Sequence, residues 1–490
     1  MRHLFLISLC LSIASSSLAQ GNGLKQQYGQ FRQQAGDRYA EFRAEANRRY
    51  AEFMKHAWQT FTASSAIPRP KDETVPPVVM PKEEHRVPLR ESRPVPIRDI
   101  VEPPVLTPQP LPLVPIREVP VTEEEKSVAF RFYGTDVKVR FGDDCRFRLS
   151  GLSNDVLSAA WEKMAGEAYN NLLRDCLELR VRMELSDWAY LSLLQTMAEA
   201  CMGNGDEAVM LTAYVYCQSG YRMRLGRTDG RLVLLYGSEH TIYGRPFFDI
   251  GGTRYYPTDD NVRRMEVCDV AFPKEQSLSL QMRRQPKLAR EETPVRKLKS
   301  ERYPEIKAEV SVNKNLNDFY DSYPESETDR NVMTRWAVYA NVPMDEGVAR
   351  MLYTPLREQL AGLDKKEAAE RLLNFVQTAF VYEYDEKVWG HDRAFFAEET
   401  LYYPYCDCED RSILFSRLVR DLLGLDVVLV YYPGHLATAV CFSGETVAGD
   451  YIELSGCRFT VCDPTYIGAG VGRTMSGMDN QAARVILLDR

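Results

Sequence analysis

A thiol, an imidazole and a carboxylate stand in order through the C-terminal half of this chain, as Cys408, His435 and Asp463. Their contexts suit one chemistry. Cys408 opens a strong helical pattern, Cys408-Glu409-Asp410-Arg411-Ser412 leading to Leu418-Val419-Arg420. At a helix N-terminus the free N–H groups and the macrodipole favour thiolate, so a lowered cysteine pKa is expected there. His435 follows the turn Pro433-Gly434 and begins a strand, and Asp463 ends the strand Phe459 to Cys462. Neighbouring antiparallel strands would hold imidazole and carboxylate side by side. The carboxylate would fix the tautomer while the imidazole serves the thiol as base and then as acid.

Rival readings of the same residues are weaker. Cys406 is two residues out of register with the helix, and Cys441 and Cys462 lie inside strands, as core residues or a disulfide pair. Cys406, Cys408, Cys457 and Cys462 make a four-thiol set without the spacing of zinc knuckles. His391, in Trp389-Gly390-His391-Asp392, reads as a loop residue. No cofactor and no metal ligand set is expected.

The elements that must position these groups come in two similar sets. In the first, helical patterns at Ser153 to Leu179, Ser186 to Cys201 and Asp206 to Gln218 precede strands at 232–236, 241–243 and 254–256. In the second, Asp345 to Leu360, Lys365 to Phe380 and Asp410 to Leu423 precede strands at 427–431, 437–442, 451–454 and 459–462. A hairpin is expected around Gly134-Thr135, and strand-like pieces at 277–282 and 305–312. Leu194 to Ala198 sits where Phe375 to Ala379 sits, and Asp206 to Gly220 matches Asp410 to Gly424 without a gap. His240 is set against His435, and Tyr256-Pro257-Thr258 against Asp463-Pro464-Thr465. The reading is an internal duplication.

The helix-borne Cys-x-Asp, the strand-borne His and the strand-borne Asp-Pro-Thr together resemble the transglutaminase-like fold of the papain-like superfamily. The resemblance covers roughly 370 to 475 and extends upstream to Tyr382-Glu383-Tyr384 and Glu399-Thr400-Leu401. It implies Cys408 as nucleophile, His435 as general base and Asp463 as the orienting carboxylate. Two departures stand out: Tyr405-Cys406-Asp407 where the family places Gly close before Cys, and Leu436 where an aromatic commonly follows His. The Cys408 N–H is the one marked oxyanion donor, with Trp389 and Tyr382 as upstream candidates. In the first copy Asn204 takes the place of Cys408 and Tyr256 that of Asp463, while His240 remains. That copy is expected to be catalytically dead.

Composition frames the rest. The 490 residues carry a net charge of -8, so the basic footprint of a nucleic-acid binder is missing. The run Arg283-Arg284 to Lys299 reads as a solvated linker face. Residues 1–19 read as an export signal, with Arg2 and His3, an apolar Leu4 to Ile13 and the cleavage motif Ser17-Leu18-Ala19. No later stretch is long and apolar enough to span a bilayer. Within 22–62, Tyr28/Phe31, Tyr39/Phe42 and Tyr50/Phe53 recur every eleven residues, an aromatic stripe on a helix suited to self-association. Residues 67–122 hold 15 of the 27 prolines and read as an extended polyproline spacer.

The expected architecture is α+β: two tandem transglutaminase-like domains, 123–268 (degenerate) and 331–490 (catalytic). Linking strands and loops occupy 269–330, and a helical segment and proline-rich linker precede the whole. The expected activity is acyl transfer on a protein or peptide substrate in an exported, periplasmic or secreted protein. A thioester would form on Cys408, and hydrolysis is more economical than cross-linking. The alternative is a non-catalytic scaffold presenting two such domains.

Overall fold

The computed structural model describes residues 21–71, 75–82, 89, 91–120, 126–442 and 444–489, with side chains from residue 34 onward. The expected signal, 1–19, lies outside the described residues. Helix α1 (Gly21–Met54) buries Ala46, Asn47, Tyr50, Ala51 and Met54, a face spaced by threes and fours. Tyr50 packs on Trp161 with ring centroids 4.5 Å apart, and Asn47 bonds Gln218 and Trp161. Tyr39, Phe42 and Phe53 stay exposed. Tyr28 and Phe31 lie outside the described side chains; within the rest the aromatic stripe is split, with Tyr50 buried against the domain and the other three outside it. The helix also stops short of residue 62, because Trp58–Thr62 forms strand β1.

The proline-rich stretch departs from a free spacer. Strands β2 (Ser92–Pro94) and β3 (Asp99–Val101) pair in parallel with the two outer strands of the C-terminal sheet. Residues beyond them lie on the N-terminal helices. Arg180 Nη1 donates to Pro110 O at 2.9 Å, and Asn171 exchanges two 3.0 Å hydrogen bonds with the Val119 backbone. Gly220, at φ +97°, leaves room for the backbone of Leu111, which a Cβ would strike. Proline's fixed φ suits extended backbone, and an edge strand needs N–H donors on one side only. The stretch is a strap that covers both sheet edges, which would otherwise be open to pairing.

The N-terminal half begins with the expected hairpin, Ser127–Phe132 with Thr135–Arg140, turning through Tyr133 and Gly134 at positive φ. The long helical pattern breaks at Gly166 into α2 (Asn154–Met164), capped by Ser153, and α3 (Asn170–Arg182). Helices α4 (Asp187–Met202) and α5 (Asp206–Gln218) follow. Strands β4 (Met223–Thr228), β5 (Arg231–Ser238), β6 (Phe248–Ile250), β7 (Thr253–Pro257) and β8 (Arg264–Cys268) form an antiparallel sheet with β1, in the order β1-β8-β4-β5-β7-β6. The expected strand at 277–282 is irregular chain that touches β5 through a single bridge at Leu278.

In the C-terminal half, α6 (Lys365–Thr378) and α7 (Cys408–Leu418) pack on a sheet of β9 (Asp426–Tyr432), β10 (His435–Cys441), β11 (Gly449–Leu454), β12 (Cys457–Cys462) and β13 (Arg484–Ile486). The order is β2-β11-β12-β10-β9-β13-β3. Without the strap strands and β1, the two sheets share one topology: β6-β7-β5-β4-β8 repeats as β11-β12-β10-β9-β13. A constant shift in numbering carries Asp206 to Asp410, the turn glycine Gly230 (φ 75°) to Gly434 (φ 77°), and β7 onto β12. One apolar cluster joins the halves, running from Tyr50 and Trp161 through Phe319 and Trp336 to Phe396, Cys408 and Leu436. Among the described residues no helix is long and apolar enough to cross a membrane.

Candidate active site

The start of α7 is fixed by its own acids. The Asp407 side chain accepts from the Glu409 N–H, while the Asp410 carboxylate accepts from the Asp407 N–H, a reciprocal cap that leaves Cys408 as the first helical residue. Helix α7 then lies on β10, where Ser412 Oγ donates to Leu436 O at 2.8 Å. The Leu436 backbone N–H favours the Cys408 thiolate, with less effect than the burial and the flanking carboxylates that oppose it.

Imidazole and carboxylate meet as the strand positions require. His435 Nε2 and Asp463 Oδ2 are 2.9 Å apart. The other oxygen of Asp463 is engaged by the N–H groups of Thr465 (2.8 Å) and Tyr466 (3.1 Å). That turn is pinned in its turn by Gln377 on α6, whose Nε2 donates to the carbonyls of Asp463, Tyr466 and Ala469 and whose Oε1 accepts from the Gly468 N–H. With Nε2 committed to Asp463, Nδ1 is the nitrogen left for a base, and it is buried without a hydrogen-bond partner. Cys408, His435 and Asp463 are 5%, 2% and 1% exposed. Of the three groups read from the sequence, His435 and Asp463 are in direct contact, and Cys408 opens the helix that packs on the strand His435 begins.

The electrostatics correct one expectation. Burial pushes the Cys408 thiol well above its ordinary pKa, with Asp407 and Glu409 next in effect. A helix N-terminus contributes about 1 kcal/mol or less at an exposed site, which full burial beside two carboxylates exceeds. The resting thiol is therefore protonated, and deprotonation has to come from a base.

The same acids belong to a buried cluster that sequence reasoning missed. Asp385, Asp392 and Glu409 bring carboxylate oxygens within 4.8 Å of one another, as do Asp385, Asp407 and Asp410. Either trio is tight enough to share one cation. Arg335, 1% exposed, sits among them, 2.8 Å from Asp392, 3.7 Å from Glu325 and 3.9 Å from Glu409. Burial, ahead of any neighbour, raises Asp385 to about 9 and Asp407 and Glu325 to about 7. The signal available in sequence was the acidic run around the cysteine, Asp407-Cys408-Glu409-Asp410.

The remaining candidates separate cleanly. Cys406 is held by Arg411 Nε at 3.5 Å, and its thiol is pushed up to about 12 by burial. Tyr382 bridges Cys406 in parallel, and its buried hydroxyl has no hydrogen-bond partner. Burial and then Cys408 push that phenol far up. Trp389 instead packs edge-on against Phe395 and Tyr403. His391 Nδ1 faces the Trp389 carbonyl. Cys441 is disulfide-bonded to Cys457, not Cys462, so the four-thiol set does not converge.

The first sheet corrects the alignment of the two halves. The shift that superposes the topologies brings Asn204 to Cys408, as expected, but Arg231 to His435 and Asp259 to Asp463. Arg231 and Asp259 are ion-paired. His240 lies at the far end of β5, buried, with Nε2 accepting from the Leu280 N–H and its pKa lowered to about 4 by burial. Tyr256 Oη donates to the His240 carbonyl at 3.0 Å. Matching by residue identity displaced both partners. An exposed asparagine and a permanently charged guanidinium supply neither nucleophile nor base.

No family model, curated relative or solved structure matches the chain.

Proposed function

We propose that the chain is an exported cysteine acyl-transfer enzyme of transglutaminase-like type, built from two domains of one topology, with chemistry confined to the C-terminal one. The observation that carries this reading is the buried His435–Asp463 pair with Nδ1 unpartnered, on the strand against which the helix opened by Cys408 packs. In the proposed reaction Nδ1 takes the thiol proton as sulfur attacks an amide carbonyl. The resulting imidazolium, stabilised by Asp463, gives the proton to the leaving amine. A thioester remains, and water then releases a carboxylic acid. The Cys408 N–H and the Tyr382 hydroxyl are the donors placed for the developing oxyanion. The shared strand order supports the duplication, and the Cys441–Cys457 disulfide supports an oxidising compartment. Exposed Tyr39, Phe42 and Phe53 are the side chains available for self-association through 22–62.

Incubating the full chain with a peptide library in the presence and absence of a primary amine, with acid quenching and mass spectrometry, tests the activity. The expected result is a thioester on Cys408 and free acid products, none of them with Cys408→Ala. A second reading, a non-catalytic scaffold, is favoured by the closed thiol, which burial holds protonated. It is the conclusion if no thioester and no product form.

A further inference from the structure

Residues 67–71 and 75–80 of the strap bond segments that flank this site. On the thiol side, Arg69 Nη1 donates to Asp392 O at 2.8 Å and its Nε lies 3.6 Å from Glu325. On the imidazole side, the Val75 N–H donates at 2.9 Å to the carbonyl of Gly434, the residue before His435. The chain then bridges Ile467 in parallel: Ile467 N–H donates to Val78 O, and Met80 N–H to Ile467 O, both at 2.9 Å. Ile467 follows the turn that holds Asp463. Met80 is the one strap side chain here that is fully sequestered, against Tyr466, Ala469 and Met475, whereas Val79 is 68% exposed.

These contacts have the form of peptide recognition. The Gly434 carbonyl and both backbone groups of Ile467 give sequence-independent main-chain bonds, and the Met80 pocket supplies one side-chain preference. The bonds just after the Gly434 contact, Val75–Pro76 and Pro76–Pro77, are tertiary amides in chain whose φ is locked. An occupant of that kind holds the site without offering an ordinary amide beside it.

We propose that residues 75–80 are a tethered occupant of the substrate channel, and that the substrate is an extended polypeptide with an unbranched aliphatic residue for the Met80 pocket, which must displace the strap. The proposal rests on the Cys408–His435–Asp463 reading and adds its substrate class and its resting block.

The test is the rate of Cys408 alkylation by iodoacetamide in the full chain, read at that peptide by mass spectrometry, with buried Cys176 and Cys462 as reporters of the fold. Met80→Asp is expected to raise the Cys408 rate about ten-fold, as a larger share of molecules opens. Millimolar peptide of sequence 75–82 is expected to bring the rate back down. A Val79→Cys/Ile467→Cys cross-link is expected to hold it below wild type. Equal rates in wild type, released and cross-linked forms overturn the proposal. If Met80→Asp also exposes Cys176 and Cys462, that variant has unfolded and the cross-linked form decides alone, an unchanged rate again overturning it. Adding His435→Ala to Met80→Asp separates the two claims. A rate that ignores His435 while still responding to the strap removes the triad and leaves the cover.

Discussion

Arg231 is ion-paired with Asp259 at the place in the first sheet where the second sheet pairs His435 with Asp463. Both pairs contain a carboxylate, but a guanidinium, unlike an imidazole, does not exchange a proton near neutral pH. One strand order thus carries a His–Asp pair and an Arg–Asp pair at matching positions, and only the former lies on the strand against which a cysteine-bearing helix N-terminus packs.

Because Arg231 is nearly half exposed, its pair contributes little. Arg231→Ala is expected to cost less than about 1 kcal/mol in chemical denaturation, and to leave Cys408 reactivity unchanged. A drop in that reactivity would make the first sheet part of the chemistry.

Gln377 is a positioning residue rather than a catalytic one. It bonds the Asp463 turn four times from a buried site. Gln377→Leu strands those backbone groups, at a cost of about 3 kcal/mol. Faster amide exchange at Thr465 and Tyr466, together with slower Cys408 alkylation, is the expected signature. Loss of stability with unchanged reactivity would reduce the residue to a purely structural role.

Glu398 sets a pH dependence. Burial raises its carboxyl to about 7, against an ordinary value near 4.5. Between those values the folded state binds a proton that the unfolded state does not, so stability is full below about pH 4.5 and falls as pH rises towards 7. A shift of that size corresponds to a loss on the order of 3 kcal/mol. Thermal melts of wild type and Glu398→Gln from pH 5 to pH 8 should diverge, the variant having the flatter profile. Parallel profiles would refute the assignment.

The Cys441–Cys457 disulfide closes a short loop, with a sequence separation of 16. Reduction is expected to lower stability by about 3 kcal/mol on loop-entropy grounds. Melts with and without reductant, using Cys457→Ser as the control, check this; the variant should ignore the reductant.

Much of this site was legible in the residues, and the reasons it was not wholly so are physical. The helix start at Cys408 and the His435–Asp463 pairing were readable because a capping run, a Pro-Gly turn and strand alternation are local signals. The register that relates the two sheets was not, because His240 was matched by identity. Gly230 and Gly434, which the hairpin turns require at positive φ, mark the frame in which the two strand orders coincide. The raised thiol was hidden for another reason: the helix N-terminus is local, whereas the burial that outweighs it comes from tertiary packing. Asp385, Asp392 and Arg335, which complete the acidic cluster, also come from distant segments. Proline density likewise reports local stiffness and says nothing of which sheet edge an extended segment will join.

The central claim, that His435 activates Cys408, is tested most directly by the pH profile of Cys408 alkylation in wild type and His435→Ala. The account predicts that His435→Ala slows the reaction about 100-fold at pH 7, the scale of general-base assistance, and that the two profiles converge at high pH, where hydroxide ionises the thiol. Superimposable profiles at every pH would contradict it.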